Sequence, residues 1–266
     1  MAIISERYRA HCSSRIFERD RYLAGSDSRR LAELNAAFSD PRVRAVFCAR
    51  GGYGTMRLLP RLQGRPDKPI VGFSDITALH QWQQRQGTVS IHGPVVTQLG
   101  RFGTAAGARL FSLLESSSAP EPLQGSQTWV PGTVEGPLLG GNLSVFTRLL
   151  GTPFMPDLRG AILLLEDVGE RPYRLDRMWM HLELAGVFRQ ISAIALGSFT
   201  HCEERDSEYR SQDVLRDLAV ATGLPCAGGF PVGHGEVNEP VPLGVRVRLD
   251  ATAQRLTFLE AAVSEE

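Results

Sequence analysis

Short apolar runs alternate with amphipathic stretches along most of this chain. Leu31, Leu34 and Phe38 recur at helical spacing after Ser26 or Asp27, and Asp40-Pro41 stops the run, which predicts a helix to residue 38. Residues 43–48 read as a short strand that enters the glycine loop Ala49-Arg50-Gly51-Gly52-Tyr53-Gly54, with a helix over 56–62 behind it. Ile70-Val71 is a second buried strand, followed almost at once by a helix from Asp75 to about Gln86. Residues 89–91 form a strand that ends at His92-Gly93-Pro94, and 104–114 form a further helix. Strands alternating with helices imply parallel pairing, with the helices packed on the sheet. Residues 1–24 are arginine-rich, weakly patterned and predict no definite element.

The run Ser116-Ser117-Ser118-Ala119-Pro120-Glu121-Pro122, with Gly125 and Ser126 beyond it, is the clearest linker in the sequence. Past it come a short strand near Trp129 and a loop, Gly136-Pro137-Leu138-Leu139-Gly140-Gly141-Asn142. A helix over 143–150, a solidly apolar strand over 161–165 ending on Glu166-Asp167, and a helix over 175–184 follow. Next are a buried strand over 191–196 and a helix over 214–221. Val245, Val247 and Leu249 alternate with polar residues before Leu256 and Phe258, the pattern of an antiparallel hairpin with one solvated face. The expected fold is therefore a two-domain α/β protein. An N-terminal domain (1–115) holds a mostly parallel sheet flanked by helices, residues 116–127 link it, and a C-terminal α/β domain (128–266) has mixed strands. There is no internal repeat or low-complexity tract.

Composition narrows the partners. The 29 basic and 29 acidic residues cancel, so nothing argues for nucleic acid or an anionic membrane surface. No apolar run approaches the ~18 residues of a membrane span, and the first residues lack the apolar core of a signal peptide. Cys12, Cys48, Cys202 and Cys226 are scattered without metal-ligand spacing, so reduced thiols in a cytoplasmic protein are expected, with neither a metal site nor a disulfide framework. No cofactor-binding motif stands out.

The stretch that concentrates chemistry is Gly72-Phe73-Ser74-Asp75. A strand passing so abruptly into a helix lifts one side chain out of the sheet at a helix N-terminus, where free N–H groups favour developing negative charge. That is the setting of a nucleophile elbow, although Ile76 stands where G-x-S-x-G has its second glycine. Ser74 or Asp75 would equally serve as a helix N-cap. Glu166 ends an apolar strand and His234 lies in Phe230-Pro231-Val232-Gly233-His234-Gly235, so serine, acid and imidazole all fall where α/β sheets gather ligands. An imidazole can take the serine proton, and a carboxylate can hold the imidazole. Asp167 and Glu170 compete with Glu166 for the acid, and each of these residues also has an ordinary structural role open to it. The Arg50–Gly54 loop fits three readings. It is a weak phosphate cradle, a source of an oxyanion-hole donor beside the Asp75 amide, or a tight turn that needs glycine.

Several motifs together resemble the LD-carboxypeptidases. They are Ala49-Arg50-Gly51-Gly52-Tyr53-Gly54, Gly72-Phe73-Ser74-Asp75-Ile76-Thr77, Leu139-Gly140-Gly141-Asn142-Leu143, Leu165-Glu166-Asp167-Val168-Gly169-Glu170 with Pro172-Tyr173-Arg174-Leu175-Asp176-Arg177-Met178, Leu196-Gly197-Ser198-Phe199, and the Gly233-His234 loop. They occur in the family's order from about residue 16 to the end. The resemblance implies a serine peptidase that removes the terminal D-Ala from murein tetrapeptide in the cytoplasm, as part of peptidoglycan recycling. It implies a triad of Ser74, His234 and Glu166, and an oxyanion hole from the Asp75 amide and a glycine amide of Gly51 or Gly52. It also implies a homodimer of two-domain subunits, with the triad assembled between the domains.

A branch of the family hydrolyses microcin-type peptidyl-nucleotides, which gives a second reading. A non-catalytic nucleotide- or sugar-binding protein using the Arg50–Gly54 loop is a third. Family members usually carry an extra strand and helix before the region matched here. On that ground the first sheet is expected to lack a strand, leaving an unpaired edge that either an upstream segment or residues 1–20 would cover.

Overall fold

The computed structural model describes residues 2–64 and 67–264, with the side chains of 101–106 outside that description. Its strands form two sheets. In the smaller, β1 (Val46–Phe47), β2 (Ile70–Gly72) and β3 (Ser90–His92) run parallel, as the strand–helix alternation requires. A fourth strand, Val241–Leu243, comes from the far end of the chain and pairs antiparallel with β3.

The larger sheet has eight strands. They are β4 (Leu123–Gln124), β5 (Gln127–Val130), β6 (Thr133–Asn142), β7 (Ile162–Val168), β8 (Ala193–Thr200), β9 (Cys226–Gly228), β11 (Arg246–Asp250) and β12 (Arg255–Phe258), with Val241–Leu243 of the small sheet numbered β10. The spatial order is β4-β12-β11-β6-β7-β8-β9-β5, parallel from β6 to β9 and antiparallel towards both edges. The β11–β12 hairpin is the expected one, with alternate residues buried.

The sheet's two faces bury separate cores. Leu163 and Leu165 pack with Trp179, Leu182 and Leu215 from the helices Pro172–Leu184 and Ser211–Thr222. Ile162 and Leu164 pack on the other face with Val241, Val245 and Phe230. Each fully buried Leu or Ile of these clusters contributes about 1.5–3 kcal/mol of transfer free energy.

Four expectations are corrected. Residues 136–142 are strand, not loop. A Cβ at Gly140 would lie 2.0 Å from the Leu164 carbonyl oxygen, so the glycines serve the close approach of β6 to β7. The 56–62 helix is reduced to a 3₁₀ turn, Leu59–Arg61, with Pro60 in its first turn. The helix expected over 104–114 runs from Val96 to Glu115, its glycines tolerated inside a long packed helix rather than ending it. Finally, the 116–127 linker already contains β4 and the first residue of β5, because Leu123 is drawn into the apolar core of the large sheet.

At the N-terminus, Ala2–Ser5 is helical, and Ile4, Tyr8 and Ala10 pack with Phe47, Val71 and Ile91 against one face of the small sheet. The helix Thr77–Arg85 is buried along nearly its whole length, polar residues included, because it sits between the sheets. Gln81 donates to the Gly140 carbonyl at 2.8 Å, and the Asn142 amide donates to Thr77 Oγ1 at 2.9 Å. These bonds fix the end of β6 against the helix that follows Ser74.

Candidate active site

Phe73 is extended (φ −154°), and Ser74 turns to φ 65°, the left-handed region that costs a non-glycine residue roughly 1–3 kcal/mol. A short 3₁₀ turn, Ser74–Ile76, then leads directly into the helix Thr77–Arg85. Strain held at this one serine is what an elbow produces, and an ordinary N-cap in extended conformation would not need it. The chain at Gly51 presses on it, since a Cβ there would lie 3.0 Å from Ser74 Cβ and 3.2 Å from Oγ. At Gly52 (φ 123°) a Cβ would meet nothing within 4 Å. The buried Asp75 carboxylate accepts from Thr55 N at 2.9 Å and Thr55 Oγ1 at 2.6 Å, so the glycine loop is tied to the elbow. Asp75 was expected to contribute its backbone, and its side chain proves to be an anchor as well.

Glu166 and His234 meet. His234 Nδ1 lies 2.6 Å from Glu166 Oε2, with the carboxylate fully buried and the imidazole 16% exposed. A carboxylate can only accept, so Nδ1 carries the proton and Nε2 is left free. Burial acts against charge on Glu166, but the imidazoles of His234 and His92 outweigh it and hold the carboxyl well below the usual range. Gly233 is required here, because at φ 107° a Cβ would fall 2.5 Å from Glu166 Oε2. The loop is held by Asn238, which accepts from Gly233 N at 2.9 Å, and by Ser198 N and Oγ, which donate to the Val232 carbonyl.

Among the described residues no hydrogen bond joins Ser74 Oγ to His234. What links them is Phe73, whose ring centroid lies 4.5 Å from that of His234. Catalytic hydrogen bonds are often long before substrate binds.

Asp167 and Glu170 are elsewhere. Asp167 leaves the opposite face of β7 and accepts from Asn142 Nδ2, Ser144 N and Val168 N at 2.8–3.0 Å. Glu170 accepts from Ser144 and lines a cavity of about 380 Å³ with Arg148, Arg174, Arg177 and Met178. Burial pushes the Cys48 thiol beside the elbow up to about 12, which leaves it a poor nucleophile. His92, Thr55 and Asn238 escaped sequence reasoning, since each gains its partner only through tertiary contact. No helix among the described residues is long and apolar enough to cross a membrane.

The chain is similar to known proteins along most of its length. The family model described as the LD-carboxypeptidase N-terminal domain matches residues 2–93, and the LD-carboxypeptidase C-terminal domain matches 135–249. The chain is 38% identical to the murein tetrapeptide carboxypeptidase of Pseudomonas aeruginosa, over 92% of its own length and 85% of that protein's. Its fold superposes on the crystal structure of muramoyltetrapeptide carboxypeptidase from Oxalobacter formigenes with a TM-score of 0.87 and 28% identity, covering 99% of this chain and 93% of the other. The microcin C7 self-immunity protein of Escherichia coli is 27% identical over 93% of this chain and 83% of its own. With both family models matched in order across an elbow and a histidine–glutamate pair, this chain belongs to the LD-carboxypeptidase family.

Proposed function

We propose that this protein is a serine carboxypeptidase of murein peptides, in which Ser74 is the nucleophile, His234 the general base and Glu166 its orienting acid. The contact that carries the reading is the 2.6 Å bond between His234 Nδ1 and buried Glu166 Oε2, which leaves Nε2 to take a proton. The substrate is murein tetrapeptide, L-Ala-D-Glu-meso-diaminopimelate-D-Ala, as the name of the Pseudomonas relative suggests. The bond cleaved is the L,D bond to D-Ala, in cytoplasmic peptidoglycan recycling.

Ser74 Oγ attacks the scissile carbonyl carbon while its proton passes to His234 Nε2. The oxyanion is met by the Asp75 amide and an amide of the Gly51–Gly52 segment, which Thr55 and Asp75 hold in place. The C–N bond breaks, His234 returns the proton to the departing amine, and D-Ala leaves. A water, deprotonated by His234, then cleaves the acyl-enzyme to give the tripeptide carboxylate and free Ser74. Residues 1–115 and 128–266 act as two domains, with β10 of the second completing the sheet of the first, and the working unit is a homodimer, a reading that the family resemblance supports.

The relationship to the microcin self-immunity protein favours one second reading, a peptidyl-nucleotide hydrolase on the same machinery. Mass spectrometry of products from murein tetrapeptide beside an aminoacyl-nucleotide separates the two. Ser74→Ala should lower kcat by about 10⁴–10⁶ and abolish fluorophosphonate labelling without lowering the melting temperature. Retention of more than a tenth of the parental activity would remove Ser74 from the mechanism.

A further inference from the structure

Two more imidazoles lie behind the Glu166–His234 pair, and the reaction above uses neither. His92 ends β3, His80 is on the helix Thr77–Arg85, and both are fully buried. His80 Nε2 lies 2.9 Å from the Gly72 carbonyl oxygen, to which it donates. Burial pushes His80 down to about 3, so it is neutral at ordinary pH.

His92 is different. Its Nε2 faces Glu166 Oε1 at 3.8 Å, and neither atom has a hydrogen-bond partner among the described residues. Two buried polar atoms thus face one another with nothing else to satisfy them, an arrangement native interiors rarely leave unused. A proton on Nε2 makes the two complementary, since Nδ1 has no partner of its own among the described residues to claim it. Both side chains stand on fixed backbone. His92 is paired to Gly72 on one side and Val241 on the other, and Glu166 is paired to Asn142. The Phe73 ring fills the angle between the imidazoles, 5.9 Å from His92 and 4.5 Å from His234. A shift of under about 1 Å brings Nε2–H within hydrogen-bond reach of Oε1.

We propose that His92 is a positioning residue for the acid of the triad: its Nε2–H donates to Glu166 Oε1 and keeps Oε2 on His234. The inference rests on the serine-triad reading. The groups facing the His92–Glu166 contact are His234 from its loop, His80 from the helix (6.1 Å between ring centroids) and the Phe73 ring, while Asp167 points to the other face of β7. A donor on Oε1 stabilises the carboxylate most while His234 is neutral, because imidazolium already offsets part of the charge. Losing the donor therefore favours protonation of the pair and moves the acid limb of kcat/KM to higher pH. A packing defect alone would lower activity without moving that limb.

The test compares His92→Leu, which has no donor, with His92→Gln, whose amide reaches the place of Nε2, and His92→Asn, whose shorter amide does not. In His92→Leu and His92→Asn, kcat should fall about 10–100-fold, as when the partner behind a functional side chain is lost, with KM within about twofold. The acid limb should move to higher pH in both and return to the parental position in His92→Gln, with kcat largely restored. Should His92→Leu not fold, the Gln and Asn variants still decide. Parental kcat and limb in His92→Asn, or a His92→Gln variant no better than His92→Asn, overturns the proposal. Parental protein is labelled with a fluorophosphonate in parallel. Absence of label at Ser74 sinks the triad reading itself, whereas label at Ser74 with indifferent His92 variants sinks only this inference.

Discussion

Glu166 and Asp167 are neighbours on β7, carry the same charge, and leave opposite faces of the sheet into different chemistry. Glu166 enters a pocket of imidazoles, with His234 bonded to one oxygen and His92 facing the other. Asp167 enters a ring of neutral N–H groups and fixes Asn142 and Ser144 at the start of the helix Leu143–Thr147. Burial pushes Asp167 up, and its amide donors only partly oppose that, whereas Glu166 is held down by groups able to carry positive charge. Burial alone does not make a catalytic acid; a buried carboxylate whose partner titrates can stabilise a proton in transit. One whose partners are amides can only hold backbone in place.

The comparison breaks most sharply through substitution. Glu166→Gln should reduce kcat by about 10⁴, the cost of losing tautomer control and the countercharge to imidazolium. Steady-state kinetics on murein tetrapeptide would expose a reversed ranking, in which Asp167→Asn is the more damaging change and the acid has been misassigned. Asp167→Asn should instead act on stability, costing about 1–3 kcal/mol for a disrupted buried network, with kcat within about fivefold of parental. Chemical denaturation measures that directly.

The smallest effect has a sign that differs between the two. Glu166 is lowered in the fold from 4.5 to about 2, so its contribution to stability is present above about 4.5 and is lost as pH falls through that interval. Asp167 is raised, so the fold takes up its proton more readily than the unfolded chain does, and stability is gained as pH falls through the folded value towards 3.8. Glu166→Gln should therefore flatten the acid decline of the melting temperature, and Asp167→Asn should steepen it. Parallel slopes in the two variants would mean that the faces do not differ electrostatically as described.

Much of this contrast was legible in the sequence. The two-residue alternation along an apolar strand separates Glu166 from Asp167 without coordinates, and the abrupt passage from Gly72 to Asp75 marks Ser74. Glycine misled where it served proximity rather than turning. Gly140 and Gly141 belong to a strand, and the helix Val96–Glu115 absorbs Gly100, Gly103 and Gly107. His92 was visible only as the residue at a strand end, because what it faces depends on how two sheets sit together. The buried polar run His80-Gln81-Trp82-Gln83-Gln84 hid its meaning similarly, since a helix enclosed between sheets has no solvent side to pattern.

The pairing of Val241–Leu243 with Ser90–His92 also bears on how the chain folds. The strand that borders β3 is supplied only after the eight-stranded sheet has been largely threaded, and a contact so distant in sequence forms slowly, because its loop-closure entropy precedes any reward. During synthesis, the segment holding Ser74 therefore emerges long before the neighbour that completes its sheet. Until then β3 has an open edge on the side that Val241 takes. On the proposed triad, Ser74 comes from the first half while Glu166 and His234 come from the second, so a nascent chain is expected to stay inactive until nearly all of it has been made.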